Sequence, residues 1–194
     1  MNELTKIFKH LSRDLFVYFL TGFTIFINIL LLDYLFNGSE FIIYVRKIPY
    51  WGIGISILSY IIGHIIFSIS YLLFEYSGID ECLKKKMYPI TNNKAFEIDF
   101  IKEMNVFNNK VDLHDQFIER HTQLFLMRWN LACGLIICGL TNLIIELFNH
   151  FIKELNLLSI IFILTGITLY ILSIKTEKDC FDRLNKINEA INNG

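Results

Sequence analysis

Four long, mainly apolar stretches, Leu15–Phe36, Tyr50–Phe74, Leu124–Phe148 and Leu157–Ile174, constrain this chain more than anything else in it. Each runs for about 18 to 25 residues, which at roughly 1.5 Å of helical rise per residue matches a hydrocarbon slab about 30 Å thick. With 54% hydrophobic residues in 194, the chain holds more apolar sequence than an ordinary soluble domain buries. The pattern predicts an all-α fold, an integral membrane four-helix bundle. Residues 1–194 form a single membrane domain, with spans at 15–36, 50–74, 124–148 and 157–174, a long loop at 75–123 and a tail at 175–194.

Lys6, Lys9 and Arg13 precede the first span, as basic residues precede a signal peptide. Its apolar core is about twice the length of an h-region and no small-x-small cleavage site follows, so the span is expected to remain. Before it, Leu4, Ile7, Phe8 and Leu11 recur at helical spacing. They read either as an interfacial helix on an anionic leaflet or as the frayed start of span one. "NGSE", Asn37–Glu40, marks a turn, and Tyr50 and Trp51 stand where an interfacial aromatic belt belongs.

Lysine and arginine alternate between the connecting segments. Fourteen lie before span one, in the 75–123 loop and in the tail, against three in the other two connections. The positive-inside rule then predicts that both termini and the long loop of a multi-pass membrane protein lie in the cytoplasm. A net charge of −1 with no basic face leaves nucleic acid out as a direct partner and membrane lipids in. Lys84, Lys85 and Lys86 are expected at lipid headgroups or a protein partner, at about 1 kcal/mol each to an anionic surface. Cys82, Cys133, Cys138 and Cys180 show no CxxC or metal-ligand spacing, so four free thiols are expected.

Within the loop, Phe96, Ile98 and Phe100 alternate as in a strand, whereas Ile101, Met104 and Phe107 follow a helical interval, leaving the class open. Leu113, Phe117, His121 and Leu124 mark a helix entering span three, and Phe181, Leu184, Ile187 and Ile191 mark one leaving span four. Neither extension carries enough apolar surface to stand alone. They are expected to pack together or against copies of themselves.

Polar groups inside lipid cost about 2.5 to 3.5 kcal/mol for a central charge, so each calls for a reason. In span two, Gly52, Ser56, Ser59, Gly63, Ile66 and Ser70 form one narrow seam for close helix approach. About 100° away run Tyr60, His64, Ser68, Tyr71 and Glu75. That stripe is either a polar pathway for protons or ions, or a set of contacts in which His64 bonds to Asn28, Asn130 or a neighbouring subunit. Span three supplies Asn130, Gly134, Cys138 and Asn142 at strict four-residue spacing, a second seam expected to receive the first. Glu75 and Arg128 lie at similar depth with opposite charge and are expected to pair, with snorkelling of Arg128 toward headgroups as the other reading. Asp33 and Glu146 read as solvated helix ends. His114 and His121 share a helix face, but HExxH and other dedicated ligand patterns are absent, so no metal or cofactor is expected. No nucleophile set, Walker motif or GxSxG is present, and the chain reads as not an enzyme.

"SYIIGHIIFSIS" in span two and "ERHTQLFLMRWN" leading into span three, with the loop between them, give an architecture that resembles the small four-span membrane proteins of bacterial antiviral defence loci, of the CRISPR-accessory and Kiwa types. The resemblance carries over no functional residue. It implies an oligomeric inner-membrane accessory or effector that acts with a soluble partner by sensing or perturbing the membrane. The alternative from the residues is a small ion channel or proton-coupled transporter with its pathway along the polar stripe of span two.

Overall fold

The computed structural model describes residues 3–88, 100–149 and 153–193, with no strand among them. Helix α1, Glu3–Asn37, is followed by the short α2, Glu40–Val45; then come α3, Trp51–Ser77, and α4, Ile79–Met87. After residues outside this description, α5, Phe100–Asn109, leads to α6, Val111–Leu113, a π-helical turn at His114–Ile118, and α7, Glu119–Asn149. Last is α8, Lys153–Asn192. Within these helices four stretches are long and apolar enough to cross a membrane: Leu15–Asn37, Trp51–Phe74, Val111–Phe148 and Leu155–Asn192. Phe100 opens a helix, while Phe96 and Ile98 lie outside the described residues, as do the side chains of Leu4, Ile7, Phe8 and Leu11.

Two connections show how local chemistry ends a helix. After α1, Gly38 and Ser39 both take left-handed backbone angles, φ 61° and 74°, a region open to glycine and costly for serine. Asp33 offsets that cost. Rather than standing solvated, it is buried, and its Oδ2 accepts from the backbone N–H of Phe41 at 3.0 Å and of Ile42 at 3.4 Å. Those are orphan donors of the first turn of α2, so a carboxylate on the preceding helix serves as its N-terminal cap. Gly78, φ 65°, makes the break between α3 and α4.

By contact the chain divides into two compact units: Met1–Ser70 with Trp129–Tyr170, and Tyr71–Arg128 with Ile171–Gly194. In the first, polar side chains share the interior with apolar ones such as Phe26, Trp129 and Leu135 while large apolar side chains face out. Thr21, Asn28, Ser59, Asn130, Asn142 and Ser159 are buried, whereas Phe16, Ile27, Ile53, Ile57, Ile144, Leu147 and Leu164 are exposed. Such a distribution follows when the surroundings are as apolar as leucine and helices associate through small residues and hydrogen bonds.

Helix α1 packs against both α3 and α7 in this unit. A Cβ at Gly22 would fall on the Ser59 carbonyl, and one at Gly63 on the Tyr18 carbonyl, so α1 and α3 touch backbone to backbone. Gly134 faces Thr21 in the same way, its notional Cβ 2.7 Å from the Thr21 methyl. On the far side of α7, Gly139 meets Ser159 and Ile163 of α8, and Gly166 meets Ala132 and Ile136.

The second unit has an ordinary apolar core. Val106, Ile118, Cys180 and Leu184 are buried together, with Ile187 and Ile191 packed against them. Lys102 Nζ donates to Asn185 Oδ1 at 2.8 Å and Asn105 Nδ2 to Asn188 Oδ1 at 2.7 Å, so successive turns of α5 lie along successive turns of α8. The π-helical turn, absent from the sequence expectation of an unbroken α-helix, brings Ile118 into this core.

Candidate functional site

The span-two stripe was the strongest sequence candidate, and its position follows from its neighbour in the chain. Gly63 faces α1; one residue on, at about 100° of rotation, His64 stands on the outer surface and is exposed. Ser68 and Tyr71 are exposed as well, Tyr60 is half-buried, and the Glu75 side chain lies outside the described residues. A ring cluster holds the imidazole. Tyr18 meets it edge-on at 4.3 Å between centroids, Tyr60 lies at 6.0 Å nearly parallel, and Phe67 links Tyr18, at 5.4 Å, to Trp129, at 5.3 Å. Ser68 Oγ donates to the His64 carbonyl, not to its ring. The ring nitrogens find no hydrogen-bond partner among the described residues.

Neither amide offered as a partner for His64 bonds to it. Asn28 and Asn142 exchange two hydrogen bonds, 3.0 and 2.9 Å, and Asn130 Nδ2 donates to the Val17 carbonyl at 3.1 Å. The expectation that the two small-residue seams receive each other is therefore corrected. Both pack on α1: Ser59 and Gly63 against Gly22 and Tyr18, and Asn130, Gly134 and Asn142 against Val17, Thr21 and Asn28. Cys138 is buried on the second of these lines, and Ser70 is buried on the first. The outer end of the first seam has no such contact, for Gly52 and Ser56 are exposed.

In the second unit the lysine run divides. Lys84 is buried, with Nζ 2.7 Å from both carboxylate oxygens of Glu177 and 2.8 Å from Asp80 Oδ2. It cannot reach a headgroup, which corrects its part of that expectation. Burial alone would lower the ammonium pKa, but the Glu177 charge, with Asp80, outweighs it and holds Lys84 above its ordinary 10.5. Lys85 pairs with Glu81 at 2.6 Å on the surface, and Lys86 is exposed. Arg128 donates to Thr176 Oγ1; the pairing with Glu75 concerns a side chain outside the described residues.

The two histidines ahead of span three go separate ways. His114 Nε2 lies 3.1 Å from Glu103 Oε1, with its ring edge-on to Phe107 at 5.2 Å. His121 Nδ1 donates to the Phe117 carbonyl at 2.6 Å, and no group of three metal-ligating side chains forms among the described residues. All four cysteines are free thiols; burial raises the pKa of Cys180.

On α5 and α6 the sides turned away from α8 carry Ile101, Met104, Phe107 and Val111, exposed by 78%, 41%, 41% and 43%. Ile101, Met104 and Phe107 belong to none of the four apolar stretches, and together the four residues form a row of large side chains outside the unit's core. Glu177, Gly22, Asp33 as a cap and Glu103 were not marked in the sequence. A lone glycine in a span of large residues was the one available signal, at Gly22. Comparison of the chain with protein-family models, curated proteins and solved structures finds no match.

Proposed function

We propose that the protein is a non-enzymatic, multi-pass component of the bacterial cytoplasmic membrane, with both termini cytoplasmic. Copies associate in the bilayer, and the second unit receives a soluble protein partner in antiviral defence by sensing or perturbing the membrane. The exposed apolar row Ile101, Met104, Phe107 and Val111 carries this reading. The opposite side of α5 is committed to α8 through Lys102 and Asn105, so a partner's apolar helix would dock on the exposed side that carries Met104 and Phe107. The antiviral context rests on the four-span resemblance.

The test replaces Met104 and Phe107 with glutamate in cells challenged with bacteriophage. Loss of plating protection with unchanged membrane insertion is the expected result. Protection that survives the double substitution, or that the parent never confers, refutes the proposal. A channel along the span-two stripe is the second reading; because His64 and Ser68 face outward, such a path needs a second protein surface to close it.

A further inference from the structure

In the first unit the buried Asn28 and Asn142 satisfy each other across helices, yet one ionisable ring stays outside. His64 is ten residues from Phe74, about 15 Å along the helix and hence near the middle of a hydrocarbon slab about 30 Å thick. Helix α3 is the least enclosed of the four, with 17% of its apolar stretch buried against 39% for α7. Along one exposed line of it lie Ile53, Ile57, His64 and Ser68. Lipid tails offer an imidazole neither donor nor acceptor, and an unpaired polar group in such surroundings is costly.

We infer that His64 is the centre of an intramembrane interface between two copies of this chain, in which α3 packs against its symmetry mate along Ile53, Ile57, His64 and Ser68. The choice of a second copy follows from the chemistry of the ring. A neutral imidazole carries one N–H donor and one bare nitrogen acceptor, so where the same patch meets itself near a two-fold axis the ring of one copy can donate an N–H···N bond to the ring of the other. Tyr18 and Tyr60 fix the ring against rotation and so reduce the ordering cost of the pairing. Ile53 and Ile57, about two to three turns before the ring, supply packing that excludes lipid. This inference rests on the oligomer reading above and specifies its surface.

The test uses the full chain in vesicles of bacterial lipid, with its native cysteines replaced by alanine or serine. Oxidative cross-linking is measured for I57C, on the proposed line, and for I69C, exposed on α3 at about 140° from His64. Efficient dimer formation by I57C and little by I69C is expected. Adding H64L should lower the I57C dimer fraction by about threefold to fifteenfold, the range of interhelical hydrogen bonds in membranes. H64N, whose amide is also both donor and acceptor, should keep it within about twofold. Equal cross-linking at both positions, or an I57C yield that H64L leaves unchanged, overturns the inference. Should H64L fail to insert, the I57C and I69C pair decides alone. If the detergent-solubilised complex is oligomeric by mass but I57C does not cross-link, only this interface is wrong; if it is monomeric throughout, the oligomer reading falls with it.

Discussion

Replacing Lys84 with methionine should open the second unit, and Cys180 is placed to report it. The ammonium sits 2.7 to 2.8 Å from two carboxylates, and both Lys84 and Glu177 are 8% exposed. Lys84→Met keeps most of the apolar stem but leaves Glu177 buried without its counter-charge, a loss that costs about 3 to 5 kcal/mol in comparable pairs. At about 1.4 kcal/mol per factor of ten, the population of opened molecules rises by roughly two to three and a half orders of magnitude. Cys180 is fully buried one turn along α8 from Glu177, so a maleimide reaches it only in opened molecules. In a background lacking Cys82, Cys133 and Cys138, labelling should accelerate by at least about a hundredfold. K84M/E177M, which removes both charges, should return most of the protection, since a buried pair replaced by apolar groups is often neutral. The linkage sets the pH window. Because the Lys84 pKa is raised on folding, its contribution is present throughout neutral pH and is lost only as pH climbs past 10.5 and through the folded value. A K84M chain that labels within about threefold of its parent at pH 7.5, or a double variant as open as the single, would refute the claim that this pair fastens α4 to α8.

Glycine 22 should be intolerant where Gly54 is not: G22A sets a methyl on the Ser59 backbone and should cost about 1 to 3 kcal/mol or more, whereas G54A meets nothing within 4 Å and should gain up to about 1 kcal/mol of helix propensity, read as melting temperatures in detergent. N28L strands the buried Asn142 amide and should cost about 1 to 3 kcal/mol, with N28L/N142L less damaging than either single change. D33A removes the acceptor for α2, so hydrogen exchange at the Phe41 and Ile42 amides should quicken by about twofold to thirtyfold, the equivalent of about 0.5 to 2 kcal/mol; unchanged exchange would show that the cap does not hold that helix.

The four long helices were legible because length and continuous apolarity are properties of single stretches. So was the line Asn130, Gly134, Cys138 and Asn142, since a four-residue spacing puts all four on one side of any helix. Which helix receives that line was not legible. Gly22, the point of closest approach, looks like any other small residue until the Ser59 carbonyl is placed against it. Adjacency in the chain misled at the lysine run. "KKK" reads as one basic surface, yet successive residues diverge by about 100°, which turns Lys84 inward while Lys85 and Lys86 stay out. The same divergence, legible in the sequence, separates Gly63 from His64. Helix α2 escaped notice because its support comes from Asp33, eight residues before Phe41, rather than from its own first turn.

The π-helical turn at His114–Ile118 carries one more residue than an α-helix fits into the same advance, the form left by a single-residue insertion in a regular ancestor. In a regular helix, losing one residue swings everything on one side of the cut by about 100° and tears one packed face from the other. Here the arithmetic is reversed. Excising the exposed Gln116 should let the turn close up as ordinary α-helix, with Leu113 before it and Thr122 after it each keeping its face.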